Sequence, residues 1–251
     1  MRAPRFLPRG WGDFLFQLGL WLGFGVVYQL ARGFADRNPV EAFENGRLVI
    51  DAERALHTLV EADLQRVILE TGGAALDAVN WTYWLAQFPV LGFGLLWIYL
   101  RHNDSFIAVR NWVLATNLVA LVGYMLMPTA PPRMFPEEGF VDTLAASAAV
   151  NHGSGLVEFA SNPYAAMPSV HAADALIIGF AIAALARSRW VALLWTLWPT
   201  WVWFSVMATG NHFWLDVAAG VGAAVVGGTM VAWSQSRRLA AAPCLVCERR
   251  W

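Results

Sequence analysis

Residues 191–233 read VALLWTLWPTWVWFSVMATGNHFWLDVAAGVGAAVVGGTMVAW, and this stretch decides the fold. Two apolar runs, 191–208 and 214–233, flank a short polar turn. A helix of about 20 apolar residues crosses the hydrocarbon core of a bilayer. The stretch therefore predicts two membrane-spanning helices, joined at one membrane face by a turn that contains His212.

Four further apolar runs repeat this pattern toward the N-terminus. The chain of 251 residues is 58% hydrophobic and 14% charged, with a mean hydropathy of +0.48. A soluble domain needs more charged surface, so this composition indicates lipid as the solvent. We therefore predict an all-α fold, a polytopic membrane helical bundle with six transmembrane helices. The other four predicted spans lie at about 13–32, 81–100, 106–127 and 170–187.

Three arginines, Arg2, Arg5 and Arg9, precede the first apolar run, as they do in a secretory signal peptide. The run is long for a signal peptide and has no clear small-residue cleavage site. We therefore expect an anchor that stays in the protein.

The placement of arginine predicts the orientation, since all 17 basic residues are arginine. Eleven of them lie on the side that holds both termini and six on the other side, so both termini are predicted to be cytoplasmic. The connections 33–80 and 128–169 then face outward, and we expect an integral protein of the plasma membrane. The net charge of −1, without a basic stripe, argues against a nucleic-acid partner.

The connection between the first two spans carries an amphipathic pattern. Between 42 and 70, apolar residues such as Leu56, Leu64 and Val67 recur at helical spacing, with charged residues between them. The pattern predicts one amphipathic helix at the membrane interface, and a lid packed over the bundle is compatible with it. Gly72-Gly73 is predicted to end this helix.

Three short polar clusters lie at the ends of the apolar runs. They are Pro131-Pro132-Arg133, Pro168-Ser169-Val170-His171 and Gly210–Asp216. Because successive spans alternate in direction, these three positions must share one membrane face, the outer face by the arginine distribution. Ionisable groups at membrane depth usually pair with one another or serve a site. We therefore predict one site built from all three clusters.

The residue types in these clusters suit phosphoryl transfer. His212 and Asp216 are four apart and share a helix face, where an ionised Asp can orient the imidazole for nucleophilic attack. His171 can protonate a departing alkoxide. Arg133 offers a forked cation, and Ser169 with the first N–H groups of its helix adds donors for phosphate oxygens. This set predicts a reaction that uses no metal and no other cofactor.

These clusters resemble the motifs of the type 2 phosphatidic acid phosphatase superfamily, over about 80–233. The family's second motif, Pro-Ser-Gly-His, is similar to Pro168-Ser169-Val170-His171. Its third motif is Ser-Arg, five residues, His, three residues and Asp. Here Ser205-Val206 is followed, at that spacing, by His212 and Asp216. The resemblance implies a helical membrane enzyme that acts on lipid phosphates.

The resemblance also implies a role for each matching residue. His212 would be the nucleophile that forms a phosphohistidine, and Asp216 would orient it. His171 would protonate the leaving group. Arg133 would bind the phosphate.

Two cations of the family pattern are missing. Its first motif is Lys, six residues and Arg-Pro. Here Arg133 matches the arginine, but Leu126 stands in place of the lysine and Met134 in place of the proline. Val206 replaces the arginine of the third motif. A phosphomonoester carries nearly two negative charges at neutral pH and a phosphodiester carries one, so fewer cations suit a diester better. The sequences Pro-Pro-Arg, Met-Pro-Ser-Val-His and Thr-Gly-Asn-His are also similar to the motifs of the inositol phosphorylceramide synthase branch, which moves a phosphorylated headgroup to another acceptor.

The predicted function is that of a membrane-embedded lipid phosphate phosphatase or phosphotransferase, with headgroup transfer, as by an inositolphosphotransferase, favoured. The alternatives are a lipid phosphomonoester phosphatase and a non-catalytic lipid-binding protein of the same fold. The expected partners are a lipid phosphate and the membrane, and no oligomeric state is indicated. The predicted parts are a basic tail and anchor (1–39), an outer interfacial helix (40–79), a catalytic membrane core (80–236) and a cytoplasmic tail (237–251).

Several site residues also have a simpler interpretation. Asn211 is either a turn residue or a ligand, and Asp174 is either a buried hydrogen-bonded carboxyl or a contact for a polar acceptor. Ser169 can cap the fourth span and still bind phosphate. His212 with Asp216 can be a structural pair.

Two further alternatives concern charge and metal. Arg133 can pair with Glu137 or Glu138 instead of a ligand. Cys244 and Cys247 form one CxxC, but a zinc site needs four ligands, so incidental thiols are expected, with palmitoylation as the weaker alternative.

Overall fold

The structure, a computed structural model, describes residues 7–34, 38–145 and 163–241. These residues form helices and turns, with one isolated parallel bridge between Thr129 and Ala165. The predicted all-α fold is confirmed. The helices are α1 (Gly10–Phe34), α2 (Pro39–Ala55), α3 (Glu61–Thr71), α4 (Gly73–Leu85), α5 (Leu91–Arg101), α6 (Asn103–Leu126), α7 (Val170–Leu185), α8 (Arg189–Ala208) and α9 (Trp214–Ala241).

All six predicted apolar runs form helices, which confirms the polytopic membrane bundle. The helix α7 is apolar but has 16 residues, fewer than the other spans. The helices α4 and α5 make one continuous span through a π-helical segment, Ala86–Val90, in which Pro89 has no N–H to donate. Five segments of the described residues are long and apolar enough to cross a bilayer: Gly10–Ala31, Gly73–Arg101, Asn103–Leu126, Arg189–Ala208 and Trp214–Arg237.

The amphipathic stretch 42–70 forms two helices, so the prediction of a single helix is wrong. The helix α2 ends at Ala55 and α3 begins at Glu61, and the turn between them contains His57 with a φ of +56°. A left-handed residue interrupts a helix whatever apolar periodicity continues beyond it. Gly72, with a φ of +59°, ends α3 as predicted.

The helix α7, which carries His171, lies at the centre of the bundle. Glycines bring its neighbours close, as they do in many membrane bundles. Gly179 of α7 approaches the backbone of α8, and Ile178 of α7 fills the space left by Gly94 of α5. On the side of α9, Gly220 approaches the backbone of Ser169 so closely that any side chain there would clash. Protein therefore surrounds α7, and 11 of its 16 residues are buried.

The start of α1 lies at the end of the bundle that holds the α5–α6 connection. The Tyr99 hydroxyl donates to Asp13 at 2.8 Å, and Arg110 donates to Gln17 at 2.5 Å. The helix α6 runs from that end to the end where the polar clusters lie. The observed directions agree with the predicted alternation of spans, and which end is cytoplasmic stays a prediction.

Candidate active site

Main-chain hydrogen bonds join the three polar clusters at one end of the bundle. The Arg133 N–H donates to the Gly210 carbonyl at 2.8 Å, which joins the first cluster to the third. The Ser169 N–H donates to the Asp216 carbonyl at 2.9 Å, which joins the second to the third. Thr129, just before the first cluster, forms a parallel bridge with residues 164–166, which lead into the second cluster. The structure thus brings together the three clusters that the alternation of spans places at one face.

The His212 imidazole is buried, with 4% of the residue exposed. Its Nδ1 lies 3.0 Å from the Ala166 carbonyl oxygen, which can only accept a hydrogen bond. In the neutral ring the proton is therefore on Nδ1, and the lone pair is on Nε2, the nitrogen that can act as a nucleophile. A main-chain carbonyl thus sets the tautomer of His212.

Asp216 lies beside His212, but its shorter contact is to the backbone. Its Oδ2 accepts the N–H of Phe213 at 2.9 Å and is 3.5 Å from Nδ1 of His212. The carboxyl is fully buried in the first turn of α9. Asp216 therefore caps the start of its own helix and places a negative charge where it can stabilise an imidazolium at His212.

The His171 ring is close to that of His212, with ring centroids 5.6 Å apart and an angle of 58° between the planes. Tyr83 of α4 stacks on His171, with centroids 4.4 Å apart and an angle of 23°. Two imidazoles at this separation can address opposite sides of one phosphoryl group, as in-line transfer requires. Tyr83 belongs to an apolar run, and nothing in the sequence distinguishes it from a packing residue.

Asn211, the residue before His212 in the chain, binds the Arg133 guanidinium. Arg133 Nη1 donates to Asn211 Oδ1 at 2.5 Å, and Asn211 Nδ2 donates to the Thr209 hydroxyl at 2.8 Å. Arg133 Nε also lies 3.6 Å from the Asp142 carboxylate. Asn211 is thus a turn residue whose side chain fixes the direction of Arg133.

The acids nearest to Arg133 in the sequence have other partners. Arg54 donates to Glu138 at 2.6 Å, and Arg47 lies 4.0 Å from Glu137. The alternative in which Arg133 pairs with Glu137 or Glu138 is therefore wrong, and its binding of phosphate stays a prediction.

Ser169 and Asp174 are both buried and hydrogen-bonded. The Ser169 Oγ accepts the Ala172 N–H at 3.3 Å and so caps α7, and its own hydroxyl proton can still be donated to a ligand. Asp174 accepts a hydrogen bond from the Asn117 side chain at 2.9 Å and is 2% exposed. This agrees with the simpler interpretation of Asp174, and a contact with an acceptor stays a prediction.

The positions of the two missing family cations carry no charge at the site. Leu126 is 77% exposed at the end of α6, and Val206 is fully buried in α8. Among the arginines whose side chains the structure describes, Arg133 is the one that is hydrogen-bonded to another cluster residue. Because carboxyl groups outnumber this cation, the site suits an anion of low charge better than a dianion. The carboxyl groups are those of Asp142, Asp174 and Asp216.

Two buried glutamates, which the amphipathic pattern places on a polar face, contact the start of α9. Glu61 Oε1 accepts the Trp214 N–H at 2.6 Å, and Glu53 Oε1 accepts the Leu215 N–H at 3.0 Å. Both side chains are fully buried. The sequence pattern cannot single them out, since a carboxylate that caps a distant helix and one that faces water have the same spacing.

Cys244 and Cys247 lie outside the described residues, as do Arg2 and Arg5. The predictions made for the thiols and for the basic tail therefore stay predictions.

The fold and the site define a class of helical membrane proteins with two histidines, a carboxylate and an arginine at one end of the bundle. The family described as the PAP2 superfamily matches residues 47–230. The chain belongs to this superfamily, which agrees with the resemblance of its motifs and supports an enzyme that acts on lipid phosphates.

A curated relative is the phosphoinositol dihydroceramide synthase of Bacteroides thetaiotaomicron, which is 26% identical over 168 residues. The match covers 61% of this chain and 55% of the relative, so the chain spans about half the length of the relative it matches. This likeness is consistent with the inositol phosphorylceramide synthase-like branch. No solved structure matches the chain.

Proposed function

We propose that this protein transfers a phosphorylated headgroup from a lipid phosphodiester to an acceptor alcohol, through a phosphohistidine at His212. The observation that carries the proposal is the arrangement of the two imidazoles. His212 donates from Nδ1 to the Ala166 carbonyl, and the His171 ring is 5.6 Å away. A neutral imidazole with its lone pair on Nε2, close to a second imidazole, suits a two-step transfer with a nucleophile and a proton donor.

In the first step, Nε2 of His212 attacks phosphorus while the bond from phosphorus to the lipid oxygen breaks. His171, in its protonated form, gives its proton to the departing oxygen, so the lipid leaves as a neutral alcohol. The Asp216 carboxylate stabilises the positive charge that forms on His212. Arg133, and Ser169 at the start of α7, bind the anionic phosphoryl oxygens.

In the second step, the acceptor hydroxyl gives its proton to the now neutral His171. The acceptor oxygen attacks phosphorus, the bond from phosphorus to Nε2 breaks, and both histidines return to their starting forms. Water as acceptor gives hydrolysis, and an alcohol gives transfer. Asp174, one turn beyond His171, is the residue we propose to contact a polar acceptor.

The balance of charge favours a diester donor. Arg133 lies 3.6 Å from the Asp142 carboxylate, and the positions of the two missing family cations are apolar. The name of the relative suggests the substrate class, because a phosphoinositol dihydroceramide forms when a phosphoinositol group moves to the hydroxyl of dihydroceramide. We therefore propose an inositol phospholipid as donor and a ceramide-type alcohol as acceptor.

The proposal is tested by incubating the purified protein with phosphatidylinositol and dihydroceramide and analysing the lipids by mass spectrometry. We expect phosphoinositol dihydroceramide and diacylglycerol, in equal amounts and with or without EDTA. Phosphate release from phosphatidic acid, with no transfer, would show a phosphatase instead. Binding of these lipids without any turnover would show a non-catalytic relative.

The arginine distribution supports an orientation with both termini in the cytoplasm and the site at the outer leaflet of the plasma membrane. A single cysteine introduced at Glu137, in a chain with Cys244 and Cys247 changed to serine, tests it. Labelling of intact cells by an impermeant maleimide is the expected result, and labelling only after lysis would contradict the orientation.

Replacing Arg133 with lysine should raise the KM for the lipid donor about 10- to 100-fold, because lysine keeps the charge but cannot make the forked, two-donor contact to phosphate. Asn211→Ala should shift KM in the same direction by a smaller factor, since it leaves Arg133 in place without its partner. Steady-state kinetics at varied donor concentration measures both. Arg47→Lys, at an exposed arginine paired with Glu137, is the matched control and should leave KM unchanged.

A further inference from the structure

The start of α9 is held by three carboxyl groups. The first residues at this end, Phe213, Trp214 and Leu215, each direct an N–H outside the helical hydrogen-bonding pattern, as the start of every helix does. Asp216 accepts the first N–H, Glu61 the second and Glu53 the third, at 2.9, 2.6 and 3.0 Å.

The two glutamates come from α2 and α3, the two helices of the amphipathic stretch 42–70. Glu53 lies near the end of α2, and Glu61 is the first residue of α3. The turn between these helices adds a further contact, because the Trp214 indole N–H donates to the Thr58 hydroxyl at 3.1 Å. The helices α2 and α3 are therefore bound to the segment that carries His212 and Asp216.

The second carboxyl oxygen of each glutamate indicates that the two side chains share a proton. Glu53 Oε2 and Glu61 Oε2 are buried and meet no donor within the part of the chain that the structure describes. The two carboxyl groups accept the N–H groups of consecutive residues, Trp214 and Leu215, so they lie side by side. Two buried charges side by side are costly, whereas one proton between the two groups satisfies both oxygens.

We propose that Glu53 and Glu61 form a proton-sharing carboxyl pair that positions the first turn of α9, and with it His212 and Asp216, for phosphoryl transfer. They are positioning residues, since they act through the backbone of Trp214 and Leu215. The proposal rests on the proposed function only where activity is the readout.

The charges around the pair favour the protonated form. Burial, followed by the charge of Glu61, raises the pKa of Glu53 from its ordinary 4.5 to about 9. Burial also raises the pKa of Glu61. From α9 the pair faces Asp216, whose charge adds to both effects. The nearby Arg54 is exposed and paired with Asp51 and Glu138, so it does not offset them.

The pH dependence follows from these directions. The pKa of Glu53 is higher in the folded protein than in the unfolded chain, so folding takes up a proton between pH 4.5 and about 9. The stabilising contribution of the pair is complete below pH 4.5, declines as the pH rises and is lost above about pH 9. Loss of the shared proton should loosen the start of α9, and kcat should fall with it.

Glu53→Gln separates this role from a simple packing role. A glutamine oxygen can still accept the Leu215 N–H, and its amide can donate to Glu61 at every pH. We expect Glu53→Gln to keep the kcat of the parent protein near neutral pH and to extend the activity to higher pH. Glu53→Ala should lower kcat about tenfold with little change in KM, because one buried N–H loses its partner.

Matched controls are available on the same two helices. Glu44→Gln on α2 and Glu70→Gln on α3 change exposed carboxyls and should leave the pH profile as it is. A profile of Glu53→Gln that coincides with those of the parent and of these controls would overturn the proposal.

Thermal unfolding between pH 5 and 9 tests the pair without any substrate. The midpoint of the parent protein should fall more steeply with pH than that of Glu53→Gln, and equal slopes would overturn the proposal. If the parent protein turned over no lipid phosphate, the proposed function would fail while these slopes would still decide the role of the pair.

Discussion

Replacing His212 with glutamine should abolish headgroup transfer, to less than about one thousandth of the parent rate, because the covalent route loses its nucleophile. Glutamine is the suitable substitute, since its amide N–H can still donate to the Ala166 carbonyl. The covalent intermediate should disappear with the activity. Intact-protein mass spectrometry at alkaline pH, after mixing with the donor lipid and no acceptor, should show an added phosphorylated headgroup on the parent protein and none on the variant.

His102→Gln serves as the control for His212→Gln. His102 lies at the α5–α6 connection, at the end of the bundle opposite the site, and packs against Trp97. The substitution His102→Gln should leave both the transfer rate and the covalent adduct unchanged. If His212→Gln kept the adduct, the phosphoryl group would be carried by another residue.

Replacing His171 with glutamine should have the second largest effect, and its size should depend on the leaving group. A general acid contributes about 10²- to 10⁴-fold when the departing oxygen is strongly basic, as the alkoxide of a lipid alcohol is. A nitrophenyl phosphodiester needs no such proton, because nitrophenolate is a weak base. The initial burst of nitrophenolate should therefore be nearly normal in His171→Gln, while release of diacylglycerol from phosphatidylinositol should almost vanish.

Tyr83→Leu provides a contrast to His171→Gln, because it removes the stacked ring and keeps the acid. The loss of transfer rate in Tyr83→Leu should be smaller than in His171→Gln and should not depend on the leaving group. Equal losses for both leaving groups in His171→Gln would mean that His171 has a structural role at the site.

The membrane core follows from the sequence because burial in lipid imposes long apolar helices. The same constraint makes the convergence of His171, His212 and Arg133 predictable, since spans must alternate in direction. No comparable rule acts on the stretch 42–70. Apolar spacing continues through Leu56, although the helix is interrupted by His57, which has a left-handed backbone conformation. A histidine does not by itself predict that conformation.

The parts of the site that the sequence does not reveal are those made by backbone or by buried acids. The carbonyl of Ala166 holds His212, and a carbonyl has no sequence signature. Glu53 and Glu61 have the spacing of a solvated helix face. They become buried only because the start of α9, more than 150 residues further along the chain, offers N–H groups for them to bind.

The links between the three polar clusters are made by peptide groups, which every amino acid carries. The bond from Arg133 to Gly210 and the bond from Ser169 to Asp216 do not depend on which side chains stand at Leu126 or Val206. The relative positions of the three clusters can thus stay the same while the charges that surround the ligand change. An evolving lineage that keeps these positions can exchange those charges one substitution at a time, and so reach new lipid substrates without passing through a misfolded ancestor.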